Sequence, residues 1–155
     1  MFSEKINTPL HERQHWMSVL AKALWSDFEA VWRDCGFQVD YDILRKAETG
    51  LVILQGRMGG SGEPFNFGEA TVTRCSVRLV SGEVGHAYVM GNHLQHAEFA
   101  AVCDGLMQSE ERSIITRAII EPLNRLRTAD NNIRSRKSTA TKVDFFTMMR
   151  GEDET

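Results

Sequence analysis

The sequence predicts a single α+β domain: an antiparallel β-meander of about four strands, flanked by N-terminal and C-terminal helices and followed by an extended C-terminal tail. Two observations predict it. Apolar residues recur at helical spacing towards both ends of the 155-residue chain and at strand spacing between them. The strand-like segments follow one another through short connections with no helix between them, which favours antiparallel pairing over parallel crossovers.

Thr8-Pro9 reads as a helix opening, with Thr8 as cap and Pro9 in the first turn, where its missing N–H costs nothing. Trp16, Val19, Leu20, Ala23 and Leu24 then form one apolar stripe. Ser26 and Glu29 have the spacing of a capping box for a second helix, whose stripe is Phe28, Val31, Trp32 and Cys35 and whose natural stop is Gly36. Val39, Tyr41 and Ile43 alternate with Asp40 and Asp42 as in a half-buried strand. A Thr49-Gly50 turn is expected to introduce a second strand over 51–54. Thr71, Thr73, Cys75, Val77 and Leu79 line one face of a third strand, with Glu69, Arg74, Ser76 and Arg78 on the other. Ser81-Gly82-Glu83 turns the chain into a fourth strand over 84–90. Helical spacing returns with Phe99, Val102, Cys103, Leu106 and Met107, with Asn92 as a candidate cap. A further helix carries Ile115, Ala118 and Ile119 and is expected to end or kink at Pro122.

Composition excludes several classes. A hydrophobic fraction of 42% with 25% charged residues belongs to a soluble globular domain spanning 1–155, with residues 1–10 flexible and 143–155 a tail. No apolar run approaches the roughly 20 residues that span a bilayer, and the polar N-terminus lacks a signal-peptide core. Cys35, Cys75 and Cys103 are odd in number and far apart, which points to reduced thiols and a cytoplasmic setting. Residues 112–142 carry a net charge of +6 while the rest of the chain carries −9. That stretch reads first as a solvated helix face and second as a surface for an acidic partner protein. The segment has no aromatic side chain on which a base would stack, so no nucleic-acid partner is expected.

The candidate for chemistry is the glycine-rich turn Arg57-Met58-Gly59-Gly60-Ser61-Gly62-Glu63. Gly59, Gly60 and Gly62 permit left-handed backbone and close approach, so the turn reads either as a phosphate cradle, helped by Arg57 and Arg74, or as a contact with another chain. It does not fit the P-loop pattern, and no helix follows it directly. No nucleophile elbow is present, and no complete catalytic set assembles. His93 and His96 with Glu98, and His11 with His15, lack the arrangement of a metal site, so no metal is assigned. The apolar run over 143–149, with Phe145, Phe146 and Met148, reads as a partner-docking segment or a last edge strand. Arg134 and Arg136 on the basic helix are candidate interface residues beside it.

Several strings, taken in order, resemble the PhnG family, the small subunit of the bacterial carbon–phosphorus lyase core complex. They are RQHWMSVLA from Arg13, AETGLV from Ala47 and QGRMGGSGEPF from Gln55. GEATVTR from Gly68, HAE from His96, VDFFTM from Val143 and the pair Arg150-Gly151 complete the set. The resemblance runs from about Arg13 to Gly151 and is weakest over 23–38 and the basic stretch; His86 and His93 lie outside it. It implies action with PhnH-, PhnI- and PhnL-type subunits, in which methylphosphonate displaces adenine from ATP to give ribose 1-methylphosphonate 5-triphosphate. A PhnJ-type radical iron–sulfur subunit then cleaves the carbon–phosphorus bond. It also implies that the nucleosidase chemistry resides in the PhnI-type subunit, that this chain binds no cofactor alone, and that ATP is a substrate of the complex.

Overall fold

The computed structural model describes residues 4–140. Phe145, Phe146 and Met148 and the rest of the expected tail lie outside the described residues. The fold is α+β, with helices α1 (Glu4–Lys22) and α2 (Trp25–Cys35), strands β1 (Tyr41–Arg57), β2 (Pro64–Leu79) and β3 (Val84–Met90), then α3 (Leu94–Leu106), α4 (Arg112–Ile115) and α5 (Glu121–Ala140). The sheet is an antiparallel meander in the order β1-β2-β3.

Three strands stand where four are expected, because the first two are one. β1 runs through Thr49-Gly50 without turning and absorbs register shifts between Ile43 and Arg45 and between Arg45 and Glu48. Such bulges interrupt the two-residue alternation, which is why the strand looks like two in sequence. Gly50 has no positive φ and sits opposite Val72 as an ordinary strand residue.

α3 lies across β2 and β3 and is covered in turn by α1, α2 and the helices that follow it. Nearly every residue from His96 to Met107 is buried, as expected of a helix apolar on all sides. Opposite it, Thr73, Cys75, Val77 and Leu79 of β2 and Ala87 and Val89 of β3 form the inner face of the sheet. Val19, Leu20, Phe28, Ile115, Ile119 and Leu123 close the core from the other side. Gly85 marks the closest approach of strand to helix, because a Cβ there would overlap the Ala101 carbonyl of α3.

Helix boundaries follow packing more than capping. α1 begins at Glu4, ahead of the Thr8-Pro9 pair. α2 begins at Trp25 with Leu24 at its cap and no side-chain cap bond, so Ser26 lies inside the first turn. The indole of Trp25 is packed on Phe99 at 5.8 Å and edge-on to Phe28 at 6.3 Å, which fixes that start. Gly36 ends the helix in the left-handed region as expected, at φ 60°. Asn92 does not cap α3; its Oδ1 accepts from Thr49 Oγ1 at 2.8 Å, and His93 holds the cap position. Pro122 does not end its helix either. Backbone angles stay helical from α4 through a π turn at Thr116–Ile120 into α5. The wider turn just ahead of the proline loosens the ladder where its ring would clash.

His96 supplies a pH response. Its ring is buried between α1 and α2, and its Nε2–H donates to Leu20 O at 2.8 Å. Burial holds its pKa below the ordinary value, with nearby His93 adding to the effect and the Leu20 bond opposing it. An unfolded histidine takes up a proton near pH 6.5 while the native ring resists, so stability falls as pH drops below about 6.5. His96→Gln is expected to flatten the difference between urea midpoints at about pH 7.5 and 5.5 relative to the parent chain; an unchanged difference contradicts this assignment.

Candidate functional site

β3 pairs with β2 only over Val72–Arg78. Beyond that ladder, β1 from Gly50 to Arg57 and β2 from Pro64 to Thr71 continue as a two-stranded ribbon. Eight residues of strand at about 3.3 Å each carry it some 26 Å beyond the three-stranded body. The glycine-rich turn is the tip of this arm.

The tip is closed upon itself. The chain reverses tightly over Met58–Gly60, with φ 62° at Gly59 and 81° at Gly60, values that only glycine adopts cheaply. Gly62 N–H donates to Met58 O at 2.9 Å, and a Cβ on Gly62 would lie 2.7 Å from that same oxygen. Arg57 Nη1 donates to Gly62 O at 3.1 Å. The guanidinium and one loop amide expected for an anion are therefore engaged in making the turn.

Arg74 lies at the other end of the arm. Its Nε donates to Glu48 Oε1 at 2.8 Å, where Arg45 Nη1 also bonds at 2.9 Å. Arg74, and then Arg45, holds the Glu48 carboxylate below its ordinary range. Arg57 opposes Pro64 in the ladder and Arg74 lies ten strand residues further on, on the order of 33 Å away. The structure does not bring the two arginines to one ligand.

What the arm presents instead is apolar surface. Leu51 is 65% exposed, Ile53 61%, Phe65 46% and Phe67 60%. Leu51 opposes Thr71 and Ile53 opposes Glu69, in step with the Thr49–Thr73 pair, so all continue the sheet face that packs against α3 in the body. Glu69 thus shares the face of Thr71 rather than the opposite one. Phe65 and Phe67 meet edge-to-face at 6.2 Å and lie over Gly56, whose added Cβ would be 3.2 Å from the Phe67 ring. These rings lie on the face opposite Leu51 and Ile53, because a register shift between Leu54 and Gln55 sets Phe65 against Gly56, and Val52 is exposed on that same face. The continuous apolar run at 51–54 and the alternation of Phe65 and Phe67 were the signals in sequence, and they read equally well as a buried strand.

The other candidates are spread over the body. Arg134 and Arg136 are exposed on α5, where Arg134 Nε pairs with Asp130 one helical turn away at 2.9 Å. Cys75 and Cys103 are buried, and burial raises both thiol pKa values. Tyr41 donates its hydroxyl to Glu98 at 2.6 Å; burial, with Glu98 beside it, pushes its pKa up to about 12. Among the described residues no three His, Cys, Asp or Glu side chains are grouped so as to hold a metal ion, and no helix is long and apolar enough to cross a membrane.

Sequence reasoning missed Asp104, the buried centre of the body. Its carboxylate accepts from Arg13 at 3.2 and 2.7 Å, from Trp16 Nε1 at 2.9 Å and from the backbone N–H of His86 at 2.9 Å. One side chain of α3 therefore ties α1 and β3 together. The RQHW string gives no hint of its partner, which stands 91 residues further along the chain.

Fold and site together define a small α+β domain with a helix-packed body and an uncovered β-ribbon. A family model described as "Phosphonate metabolism protein PhnG" matches residues 11–151. A curated relative from Rhizobium meliloti (strain 1021), named "Alpha-D-ribose 1-methylphosphonate 5-triphosphate synthase subunit PhnG", is 39% identical over 142 residues, covering 92% of this chain and 91% of the relative. The chain belongs to the PhnG family.

Proposed function

We propose that this protein is a non-catalytic subunit of the cytoplasmic phosphonate-degrading carbon–phosphorus lyase system. With PhnH-, PhnI- and PhnL-type subunits it supports transfer of the ribose triphosphate moiety of ATP to methylphosphonate. The bond from ribose C1′ to adenine breaks, a phosphonate oxygen bonds to C1′, and adenine leaves. A PhnJ-type subunit acts on the product. The observation that carries this reading is the close relative that bears the name of a synthase subunit over nearly the whole of both chains.

The division of labour draws on the chain's own geometry. Arg57 closes the arm tip and Arg74 is paired with Glu48, so neither is poised for a triphosphate. A stand-alone enzyme built on the glycine turn and these two arginines gains no support from their separation. The shape of the arm suits a component that organises larger neighbours.

Reconstitution tests the proposal. The four subunit types with ATP and methylphosphonate are expected to release adenine, and leaving out this chain is expected to abolish release. The chain alone is expected to release none. Adenine from the isolated chain, or undiminished release without it, overturns the reading.

A further inference from the structure

We infer that the arm, residues 50–72, is the chain's docking element, and that it inserts its apolar faces into an apolar cleft on a different subunit of the assembly. The inference rests on the proposed function for the existence of that assembly, and on the structure for the surface. A two-stranded ribbon is marginal in water by itself; it needs a third strand or a packed face. Here β3 ends at Met90, so among the described residues the β2 edge of the arm has no neighbouring strand, while β1 is the outer strand of the sheet. Both faces of the arm nonetheless carry exposed apolar side chains, Leu51 and Ile53 on the face that the body buries and Val52, Phe65 and Phe67 on the other. Contiguous apolar surface of this kind marks an interaction site. The paired Phe65 and Phe67 rings have the character of interface anchors, being large and stiff enough to lose little freedom when buried.

A second copy of the chain is a poor occupant. A surface cavity of about 650 Å³ is rimmed by Asp40, Glu83, Glu110 and Glu111, acidic surroundings that do not suit an apolar ribbon. The more apolar hollow beside Trp16, Met107 and Ile120 is about 430 Å³, room for one or two side chains rather than for four along a ribbon. Neither of these hollows, among the described residues, wraps the arm. A synthase whose subunits are distinguished by name supplies different neighbours, and one of them must present the cleft.

The test is co-expression of the partner subunits with either the parent chain or the variant Leu51→Thr/Ile53→Thr/Phe65→Thr/Phe67→Thr, which keeps strand-forming residues while removing apolar side chains from both faces of the arm. The variant is expected to bind the partners at least ~100-fold more weakly, about tenfold for each phenylalanine anchor. Its far-ultraviolet spectrum and melting temperature should stay close to the parent's. Equal co-purification of parent and variant overturns the inference while leaving the subunit reading intact. Failure of the parent chain itself to co-purify overturns the subunit reading instead. Loss of self-association in the variant, with partner binding retained, overturns the choice of occupant. If the variant misfolds, hydrogen exchange on the parent decides: amides of 51–54 and 65–71 are expected to slow on assembly, and unchanged exchange there overturns the inference.

Discussion

Gly85→Ala is expected to destabilise the domain by about 4 kcal/mol or more, enough to leave much of the population unfolded at 37 °C. The added Cβ would overlap Ala101 O and lie 2.6 Å from Gly105 N, both backbone atoms of α3. No rotamer change relieves a backbone contact, so the helix must lift off the strand. Lifting it withdraws Val102, Cys103 and Leu106 from Val77, Leu79 and Ala87, the centre of the core. Ordinary overpacking costs about 1–3 kcal/mol because side chains can shift; this site lacks that escape. Urea unfolding followed by circular dichroism measures the loss. A midpoint within about 1 kcal/mol of the parent would mean that strand and helix are not in this contact.

Removing the Asp104 carboxylate is the second severe change. Asp104→Ala leaves the Trp16 indole N–H and the His86 backbone N–H as orphan donors and frees the Arg13 guanidinium, which is partly exposed and regains water. Each buried donor without an acceptor costs about 1–3 kcal/mol, so the expected total is about 3–5 kcal/mol. Asp104→Asn keeps the shape and one acceptor oxygen and should lose roughly half as much. By contrast, Asp130→Ala, which breaks an exposed pair with Arg134, should change stability by less than about 0.5 kcal/mol. A double-mutant cycle between Trp16→Phe and Asp104→Asn is expected to show coupling, since the indole N–H donates directly to the Asp104 carboxylate. Additive effects would contradict the role of Asp104 as the joint between α1, α3 and β3.

Both sites lie in the part of the fold least legible from sequence. Periodicity locates the helices and strands because a stripe of Val19, Leu20 and Trp16, or the alternation of Thr73, Cys75, Val77 and Leu79, records which face meets the core. It says nothing of partners distant in sequence. Gly85 looks like any strand glycine until α3 is laid across it, and Asp104 looks like a surface acid inside an apolar helix. The merged first strand and the uninterrupted helix through Pro122 fail for a different reason. A bulge and a π turn each change the residue count per turn of the pattern without leaving a mark in composition. The arm is the instructive case. Leu51, Ile53, Phe65 and Phe67 have the hydropathy of core residues, and hydropathy cannot tell a residue buried by its own chain from one awaiting another. The glycine turn is legible as a turn, and its backbone angles agree; its place at the end of a projecting ribbon, far from Arg74, is visible only in three dimensions.

The central claim is that this chain works inside an assembly rather than alone. The most direct measurement is the solution mass of the purified product when this chain is co-expressed with PhnH-, PhnI-, PhnJ- and PhnL-type subunits from the same source. The account predicts a stable hetero-oligomer that contains this chain and loses it when the exposed apolar side chains of the arm are replaced. A chain that elutes by itself at the 17.5 kDa of its own sequence, with the other subunits assembled in its absence, would contradict it.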